Sequence, residues 1–170
     1  MLEKFYPKKY YASAYIIDYK KLYEAGCRGL VFDIDNTLVK HGAPANESVI
    51  SLFRYLHKLG FKTCLISNNK NYRVAPFAEA VGSPCIINAH KPSTDGFVEA
   101  MYIMGTGLSS SVFIGDQLFT DIYGANRTKM YSILVKPIGP KEEIQIVFKR
   151  IFEKIVLHRY KKDGFRMETI

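Results

Sequence analysis

Two aspartates follow a short apolar run in the stretch GLVFDIDNTL, residues 29–38. The run Leu30–Phe32 has the length and residue types of a buried strand, and a strand continuing through Ile34 would turn Asp33 and Asp35 to the same side. Two acids at the end of a buried strand are costly unless a cation or hydrogen-bond donors meet them. A plain polar turn is the simpler interpretation, because Asp-Asn is common turn chemistry. Residues further along the chain favour the chemical interpretation.

Polar residues also follow the other predicted strands. They are Ser67, Asn68, Asn69, Lys91 and Asp116. In an open α/β sheet, ligands bind outside the carboxyl ends of the strands, so these residues can meet Asp33 in one crevice. A carboxylate that attacks a phosphate needs a divalent cation, a lysine and hydroxyl or N–H donors to cancel the repulsion between anions. Mg²⁺ is the expected ion, because it is hard and prefers oxygen ligands.

The elements that must position these residues alternate between strands and helices. After the strand at Leu30, strands are predicted at 62–66, 84–87, 111–114 and 131–135. Helices are predicted at 18–25, 46–59, about 70–80, from 93, about 120–127 and about 141–159. Asp18 and Asn46 are the expected N-caps of the first two, and Gly26 and Gly60 are their expected stops.

Short apolar strands separated by helices predict a parallel sheet of about five strands with helices on both faces. The expected fold class is α/β, as one doubly wound, Rossmann-like domain over residues 1–170. Its core would span about 27–137, and 138–170 would form a C-terminal helix and tail.

The composition is that of a globular protein, with 48% hydrophobic and 24% charged residues. No apolar run is long enough for a membrane span and the N-terminus lacks a signal-peptide pattern, so we expect a cytoplasmic protein. Three isolated cysteines indicate core residues in a reducing compartment. The net charge of +8 suits an anionic partner, such as a phosphorylated metabolite, nucleic acid or lipid, although solubility alone would also explain it.

The polar segments resemble the four signature motifs of the haloacid dehalogenase-like superfamily of phosphatases. DIDNT at 33–37 and GDQLFTD at 115–121 are specific matches, whereas Ser67 and Lys91 are single residues that gain weight from their order. The chain is similar to the bacterial YqeG-type phosphatases of subfamily IIIA in its length, its Phe-x-Pro-x-x-Tyr start and its SNN and GDQLxTD motifs. These phosphatases in turn are similar to the mitochondrial phosphatidylglycerophosphate phosphatases.

The resemblance implies a catalytic role for four residues. Asp33 would be the nucleophile that becomes an aspartyl-phosphate, and also a magnesium ligand. Asp35 would be the general acid and base, with its backbone carbonyl on the metal. Ser67 would hold the transferring phosphoryl group, and Lys91 would neutralise Asp33 and the phosphate.

The resemblance also implies supporting roles for four others. Thr37 would order the loop and, with Asn68 beside Ser67, line the substrate site. Asp116 would complete the magnesium sphere. Asp121 would bind the metal through water or brace Lys91.

The spacing of the motifs bears on the substrate. Only 29 residues separate Thr37 from Ser67, and 23 separate Ser67 from Lys91, so each interval is filled by one helix and one strand. Cap domains of this superfamily enter at these places, so the protein is predicted to be capless. An open crevice would admit a phosphate on a protein, a nucleic acid end or a lipid headgroup, or a small metabolite under a lid from another subunit.

The C-terminal helix allows two interpretations. Its apolar positions Ile144, Val147, Phe148, Ile151 and Ile155 recur at helical spacing. They predict a helix packed on the sheet. Because basic residues lie among them, they also suit peripheral contact with an anionic membrane, and the resemblance favours a phosphatidylglycerophosphate-type substrate. The Tyr- and Lys-rich start of the chain allows the same two interpretations.

Two other classes of function compete with a phosphatase. A receiver-like regulatory domain also carries paired acids, a hydroxyl and a lysine, but the second acid at Asp35 favours turnover over a long-lived phospho-aspartate. A basic binding module would suit the positive charge. The sequence lacks zinc-finger, RNP-like and KH patterns, which argues against nucleic acid.

Overall fold

A computed structural model describes residues 2–139 and 144–169, with the backbone alone described for 144–148. The strands of the described chain are β1 Lys9–Tyr11, β2 Gly29–Phe32, β3 Lys62–Ile66, β4 Cys85–Ile86, β5 Ser111–Gly115, β6 Tyr131–Val135 and β7 Met167–Glu168. Its α-helices are α1 Tyr19–Glu24, α2 Glu47–Leu59, α3 Asn71–Val81, α4 Asp95–Met104, α5 Tyr123–Arg127 and α6 Ile144–Lys162. The predicted single α/β domain with a parallel sheet is confirmed.

The strands pair in parallel in the order β4-β3-β2-β5-β6-β1-β7. The sheet therefore has seven described strands, two more than the sequence predicted. The additional strands are β1 and β7, of three and two residues, which pair at one edge. Strands this short carry no readable alternation of apolar and polar residues, so they were missed.

The register of the central strands brings the predicted site residues together. Phe32 of β2 pairs with Leu65 of β3 on one side and with Ile114 of β5 on the other. The residues that follow each strand therefore leave the sheet side by side at its carboxyl edge, as the doubly wound fold requires.

Apolar side chains cover both faces of the central strand. Leu30 and Phe32 of β2 lie in a cluster with α2 and α3, whereas Val31 points into a second cluster with α4. All three are completely buried. Because side chains alternate between the two faces and both faces are covered, every residue of the strand is apolar.

Local capping sets the helix boundaries much as predicted. Asp18 accepts a hydrogen bond from the Lys21 amide at 2.9 Å, and Asn46 accepts one from the Val49 amide at 3.1 Å. Gly60 ends α2 with φ of 101°, a conformation that favours glycine. β2, however, ends at Phe32, so the strand does not continue through Ile34 as considered from the sequence. The chain instead turns after Ile34.

Two helices differ from their prediction. The segment expected to be a helix from Thr120 begins as one π-helical turn, Leu118–Ile122, before α5. In α6, Val156 and Tyr160 pack into the fold, whereas Ile151 and Ile155 are 52% and 57% exposed. These two residues therefore do not form the expected packing face; residues 141–143 of the predicted helix and the side chains of 144–148 lie outside the described part.

Within the described residues, no helix combines the length and apolar character that crossing a membrane would require. The cysteines Cys27, Cys64 and Cys85 are free thiols, and the first two are buried.

Candidate active site

A buried lysine joins two of the predicted acids. Lys91 Nζ lies 2.6 Å from Asp33 Oδ1 and 2.7 Å from Asp121 Oδ1, and it also donates to the Ile66 carbonyl at 3.3 Å. The three residues reach this point from the ends of three different strands or the loops that follow them. The convergence of Asp33 and Lys91, predicted from their positions after strands, is present in the structure, and Asp121, which the resemblance alone implied, joins them.

Asp116 joins the same cluster through a hydroxyl. Thr37 Oγ1 lies 3.2 Å from Asp33 Oδ2 and 3.2 Å from Asp116 Oδ1. A hydroxyl has one proton, so Thr37 can donate to either carboxylate but not to both at once. Thr37 is thus a link between two acids, and its predicted substrate contact stays a prediction.

The loop after β2 is folded by its own backbone. The amides of Thr37, Leu38 and Val39 all point to the Ile34 carbonyl, at 3.0 to 3.4 Å. Asn36 sits at φ of 62°, a conformation that Asn tolerates better than most residues. The tight turn places Asp33 toward Lys91 and carries Asp35 away from it.

Gly115 makes room for Asp121. A Cβ at Gly115 would lie 2.6 Å from Asp121 Oδ2. That oxygen accepts the amides of Asp116 and Gln117 at 3.1 and 3.0 Å. Both oxygens of Asp121 are therefore engaged by protein donors, an arrangement that suits the predicted bracing of Lys91.

Asp35 lies outside this acidic cluster. Its Oδ1 accepts the Gly42 amide at 2.8 Å and Arg73 Nη2 at 2.7 Å, and its Oδ2 accepts Asn69 Nδ2 at 2.6 Å. Sequence reasoning missed Arg73 and gave Asn69 no role. The signal available for Asn69 was its position just after β3, beside Ser67, whereas Arg73 lies in the first turn of α3 and carried no such signal.

The two residues after β3 have mainly backbone partners. Ser67 is buried and its Oγ accepts the Asn69 amide at 3.0 Å. The Asn68 side chain accepts the Lys91 amide at 2.7 Å and donates to the Lys91 carbonyl at 3.2 Å. Asn68 therefore holds the backbone of Lys91 in place, and its predicted contact with substrate stays a prediction.

Arg150 is a further residue that the sequence did not reveal. From α6, its Nη1 donates to the Asp116 carbonyl at 2.7 Å and its Nη2 pairs with Asp116 Oδ2. Nη1 also lies 2.6 Å from Glu153 Oε2, and the other oxygen of Glu153 accepts the Leu118 amide at 2.9 Å. Arg150 and Glu153 thus attach α6 to the loop that carries Asp116.

The charges in the cluster do not balance. Three buried carboxylates, Asp33, Asp116 and Asp121, face two cations, Lys91 and Arg150. Burial, reinforced by Asp121 and Asp116 and opposed by Lys91, raises the pKa of Asp33 to about 7. Burial alone would lower the pKa of Lys91, but Asp121 and Asp33 outweigh it and raise that pKa. Lys91 is therefore charged, and Asp33 binds a proton far more readily than an ordinary aspartate.

This cluster has the donors and the charge that a hard divalent cation requires. Asp33, Asp116 and Asp121 each offer a carboxylate oxygen, and these atoms lie within 4.8 Å of one another. Carboxylate oxygens are the ligands that Mg²⁺ prefers, and the excess negative charge would be compensated by it. The side chain of Asp35 is not part of this group, so the sequence-predicted role of Asp35 as a ligand rests on its backbone carbonyl.

The chain is similar in sequence to known hydrolases and phosphatases. The family model of the haloacid dehalogenase-like hydrolases matches residues 40–127. The chain is 36% identical over 166 residues to the Bacillus subtilis (strain 168) protein named "Probable phosphatase YqeG", covering 96% of both chains. It is 29% identical over 159 residues to the chloroplastic phosphatidylglycerophosphate phosphatase 1 of Chlamydomonas reinhardtii, covering 87% of this chain and 59% of that one.

Solved structures share the fold at low sequence identity. One is the cobalt-bound deoxy-D-mannose-octulosonate 8-phosphate phosphatase of Haemophilus influenzae, with a TM-score of 0.51 at 13% identity, covering 81% of this chain and 90% of that one. Another is an uncharacterized protein of Listeria monocytogenes serotype 4b, with a TM-score of 0.55 at 15% identity, covering 69% and 84%. At these identities the likeness establishes the fold alone.

Proposed function

The chain belongs to the haloacid dehalogenase-like hydrolases and is a phosphatase of that family, and from this premise we propose that it hydrolyses phosphomonoesters through an aspartyl-phosphate on Asp33, with Mg²⁺ as cofactor. The observation that carries the proposal is the position of Lys91, whose Nζ lies 2.6 Å from Asp33 and 2.7 Å from Asp121. A lysine held in this way keeps the Asp33 carboxylate beside a positive charge, where an incoming phosphate is attracted instead of repelled.

In the first step, an oxygen of Asp33 attacks phosphorus and the bond from phosphorus to the leaving oxygen breaks. Asp35 gives its proton to that leaving oxygen, so the alcohol departs neutral. Lys91 balances the negative charge that gathers on the phosphoryl oxygens. The Ser67 hydroxyl would hold the phosphoryl group, and its position after the strand next to β2 supports this role.

In the second step, Asp35 takes a proton from water, and the water oxygen attacks the phosphorus of the aspartyl-phosphate. The bond from phosphorus to Asp33 breaks, which releases inorganic phosphate and restores the carboxylate. Asp33, Asp116 and, directly or through water, Asp121 would hold Mg²⁺, with the Asp35 carbonyl as a further ligand. When bound, the ion supplies positive charge to the transferring phosphoryl group.

We further propose an uncapped site. The interval from Thr37 to Ser67 contains α2 and β3, and the interval from Ser67 to Lys91 contains α3 and β4. Neither interval contains an additional folded unit in the described chain. An uncapped site of this kind would accept a phosphate carried on a large body.

The substrate we propose is phosphatidylglycerophosphate or a similarly exposed phosphate, at the cytoplasmic surface of an anionic membrane. Support comes from the relatives named phosphatidylglycerophosphate phosphatase and from one face of α6, where Ile151, Phe152 and Ile155 are exposed beside Lys154 and Arg159. An apolar face bordered by basic residues suits an anionic lipid surface. The free thiols support a reducing compartment.

A release assay for phosphate tests the proposal. Purified protein with and without Mg²⁺ is given phosphatidylglycerophosphate in vesicles, nucleotides, sugar phosphates and phosphopeptides. We expect metal-dependent release, fastest from the lipid, and retention of the protein on anionic vesicles in a flotation assay. No release from any phosphomonoester would overturn the reaction, and release from soluble substrates alone would overturn the lipid assignment.

The similarity to named phosphatases favours turnover over the receiver-like alternative. Persistence of the aspartyl-phosphate for minutes in the unmodified protein would favour the regulatory domain instead. Binding of nucleic acid without phosphate release would favour the basic binding module.

A further inference from the structure

Every described contact of Asp35 occupies it as an acceptor. The Gly42 amide and Arg73 Nη2 are 2.8 and 2.7 Å from Oδ1, and Asn69 Nδ2 is 2.6 Å from Oδ2. A residue that protonates a leaving oxygen must turn one of its own oxygens toward that atom. A carboxylate has about four lone-pair sites and three are used here, so Asp35 Oδ2 can still carry that proton with all three donors in place. These donors are therefore the protein groups next to the leaving oxygen in the proposed reaction.

Asn69 and Gly42 are held in place by the backbone. The Asn69 amide donates to Ser67 Oγ at 3.0 Å, and its carbonyl accepts the Asn88 amide at 3.1 Å. The donor from Gly42 is itself a backbone group. Both donors are neutral, so neither can balance the charge of a second anion.

Arg73 is the charged donor among the three. It lies in the first turn of α3, its side chain is 17% exposed, and it reaches Asp35 through a flexible stem. Its Nε is buried and has no hydrogen-bond partner among the described residues. A buried donor without a partner is unfavourable, so Arg73 can form more hydrogen bonds than it makes in this state.

We propose that Arg73 is a specificity residue that binds a second anionic group on the leaving-group side of the substrate. The inference rests on the proposed function, because Asp35 marks the leaving-group side only if it is the general acid. The ligand class is a phosphomonoester whose alcohol carries another anion close to the ester oxygen, such as a phosphodiester. Arg73 then turns its guanidinium to that anion on the leaving-group side, while Gly42 and Asn69 still hold Asp35.

The Arg73 guanidinium has more hydrogen-bond donors than its contact with Asp35 uses. Its planar set of donors can bind two oxygens of a phosphodiester at once, including through the Nε that is now unpaired. A merely structural ion pair between Arg73 and Asp35 would affect all substrates equally. Recognition of a second anion would affect only the substrates that carry one.

The test compares two soluble substrates with the same phosphomonoester. One is glycerophosphoglycerophosphate, which carries a phosphodiester in its leaving group, and the other is glycerol 3-phosphate, which does not. We expect the unmodified enzyme to prefer the first by at least about tenfold in kcat/KM. Arg73→Gln should lower kcat/KM for the first by about 30-fold or more and for the second by less than about threefold.

Arg73→Lys keeps the charge without the planar fork and should retain part of the preference. Lys58→Gln is the matched control, since Lys58 is an exposed cation at the far end of α2, near the amino edge of the sheet. It should leave both rates within about twofold. Should Arg73→Gln fail to fold, the preference of the unmodified enzyme and the Arg73→Lys variant still test the proposal.

Equal losses on both substrates, or no preference in the unmodified enzyme, would overturn the proposal while leaving the phosphatase reaction intact. Failure to hydrolyse either substrate, or any other phosphomonoester, would instead overturn the proposed reaction. Assays on intact phosphatidylglycerophosphate in vesicles show whether the anion that Arg73 binds belongs to the leaving group or to the membrane surface. A loss in Arg73→Gln on vesicles but not on the soluble head group would assign the anion to the membrane surface and contradict the leaving-group assignment.

Discussion

Arg150 holds Asp116 at two points, donating to its backbone carbonyl and pairing with its carboxylate, although 34 positions separate the two residues. The pair is partly buried, and Glu153 extends it to the Leu118 amide. A proposed metal ligand is thereby fixed by a helix far along the chain from the strand that precedes it.

We predict that Arg150→Met strengthens Mg²⁺ binding while weakening the metal-free fold. The guanidinium repels a dication near Asp116, so removing it should lower the half-saturating Mg²⁺ concentration several-fold. The variant also leaves the buried Glu153 and Asp116 without a cation, which should lower the metal-free Tm by several degrees. Calorimetric titration and thermal melts with and without Mg²⁺ measure both effects, with the exposed Lys154→Met as control. Weaker Mg²⁺ binding in Arg150→Met would show instead that Arg150 orients Asp116 for the metal.

Lys91→Met is expected to damage both stability and turnover. The change leaves Asp33 and Asp121 buried without their shared cation, which should cost roughly 3–5 kcal/mol of the free energy of unfolding. Turnover should fall by about a hundredfold or more, because the charge opposite the phosphoryl group is lost. Urea denaturation in EDTA and a steady-state assay measure these, with the exposed Lys62→Met as control. Near-normal turnover would exclude Lys91 from catalysis.

Asp33→Asn should abolish turnover with the fold intact. The substitution is nearly isosteric but removes the attacking carboxylate, so no aspartyl-phosphate can form. A phosphate-release assay and acid-quenched trapping of labelled phosphoenzyme check the result, and circular dichroism checks the fold. Turnover close to that of the unmodified enzyme would remove Asp33 from the mechanism.

The pH dependence of stability in EDTA should also change in Asp33→Asn. In the native state the pKa of Asp33 is about 7, against 3.8 for an ordinary aspartate, so between these values the native state binds the extra proton. The unfolding free energy of the unmodified protein should therefore fall relative to Asp33→Asn as pH rises from 5 to 7, by up to about 1.4 kcal/mol per pH unit. Above about pH 7 the difference should become constant. Parallel stability curves in urea denaturation would contradict the raised pKa.

Asp35→Asn should slow hydrolysis of the aspartyl-phosphate more than its formation when the leaving group is good. With p-nitrophenyl phosphate, whose leaving group needs little protonation, we expect a burst of one product per site and then turnover slowed about 10²- to 10⁴-fold. Rapid-quench kinetics measure both phases, and Asp95→Asn on the exposed start of α4 is the control. Normal steady-state turnover would show that Asp35 is not the acid and base.

The parts of the fold that were predictable depend on local sequence. Asn46 and Gly60 mark the ends of α2 through their own side-chain and backbone preferences, so the prediction from neighbouring residues was confirmed. β1 and β7 depend on pairing partners more than 100 positions away, and their few residues carry no signal of it.

The candidate site also contains residues that the sequence could place and residues that it could not. Asp33, Lys91 and Asp116 could be placed together because each follows a strand of one parallel sheet, whereas Asp121 was implied only by the resemblance of GDQLFTD to a family motif. Arg150 could not, since it lies mid-helix and meets Asp116 only through the packing of α6. Likewise, the partners of Thr37 and Asn68 depend on loop geometry that residue types do not determine.

The pairing of β1 with β7 has a consequence for how the chain folds. Tyr10 lies beside Met167, and Lys9 forms an ion pair with Glu168 at 2.5 Å. Closing a loop of this length carries a large entropic cost before any contact compensates for it, so this edge should assemble after the centre. During synthesis, β1 would therefore remain without this neighbour until residues 167–168 have left the ribosome.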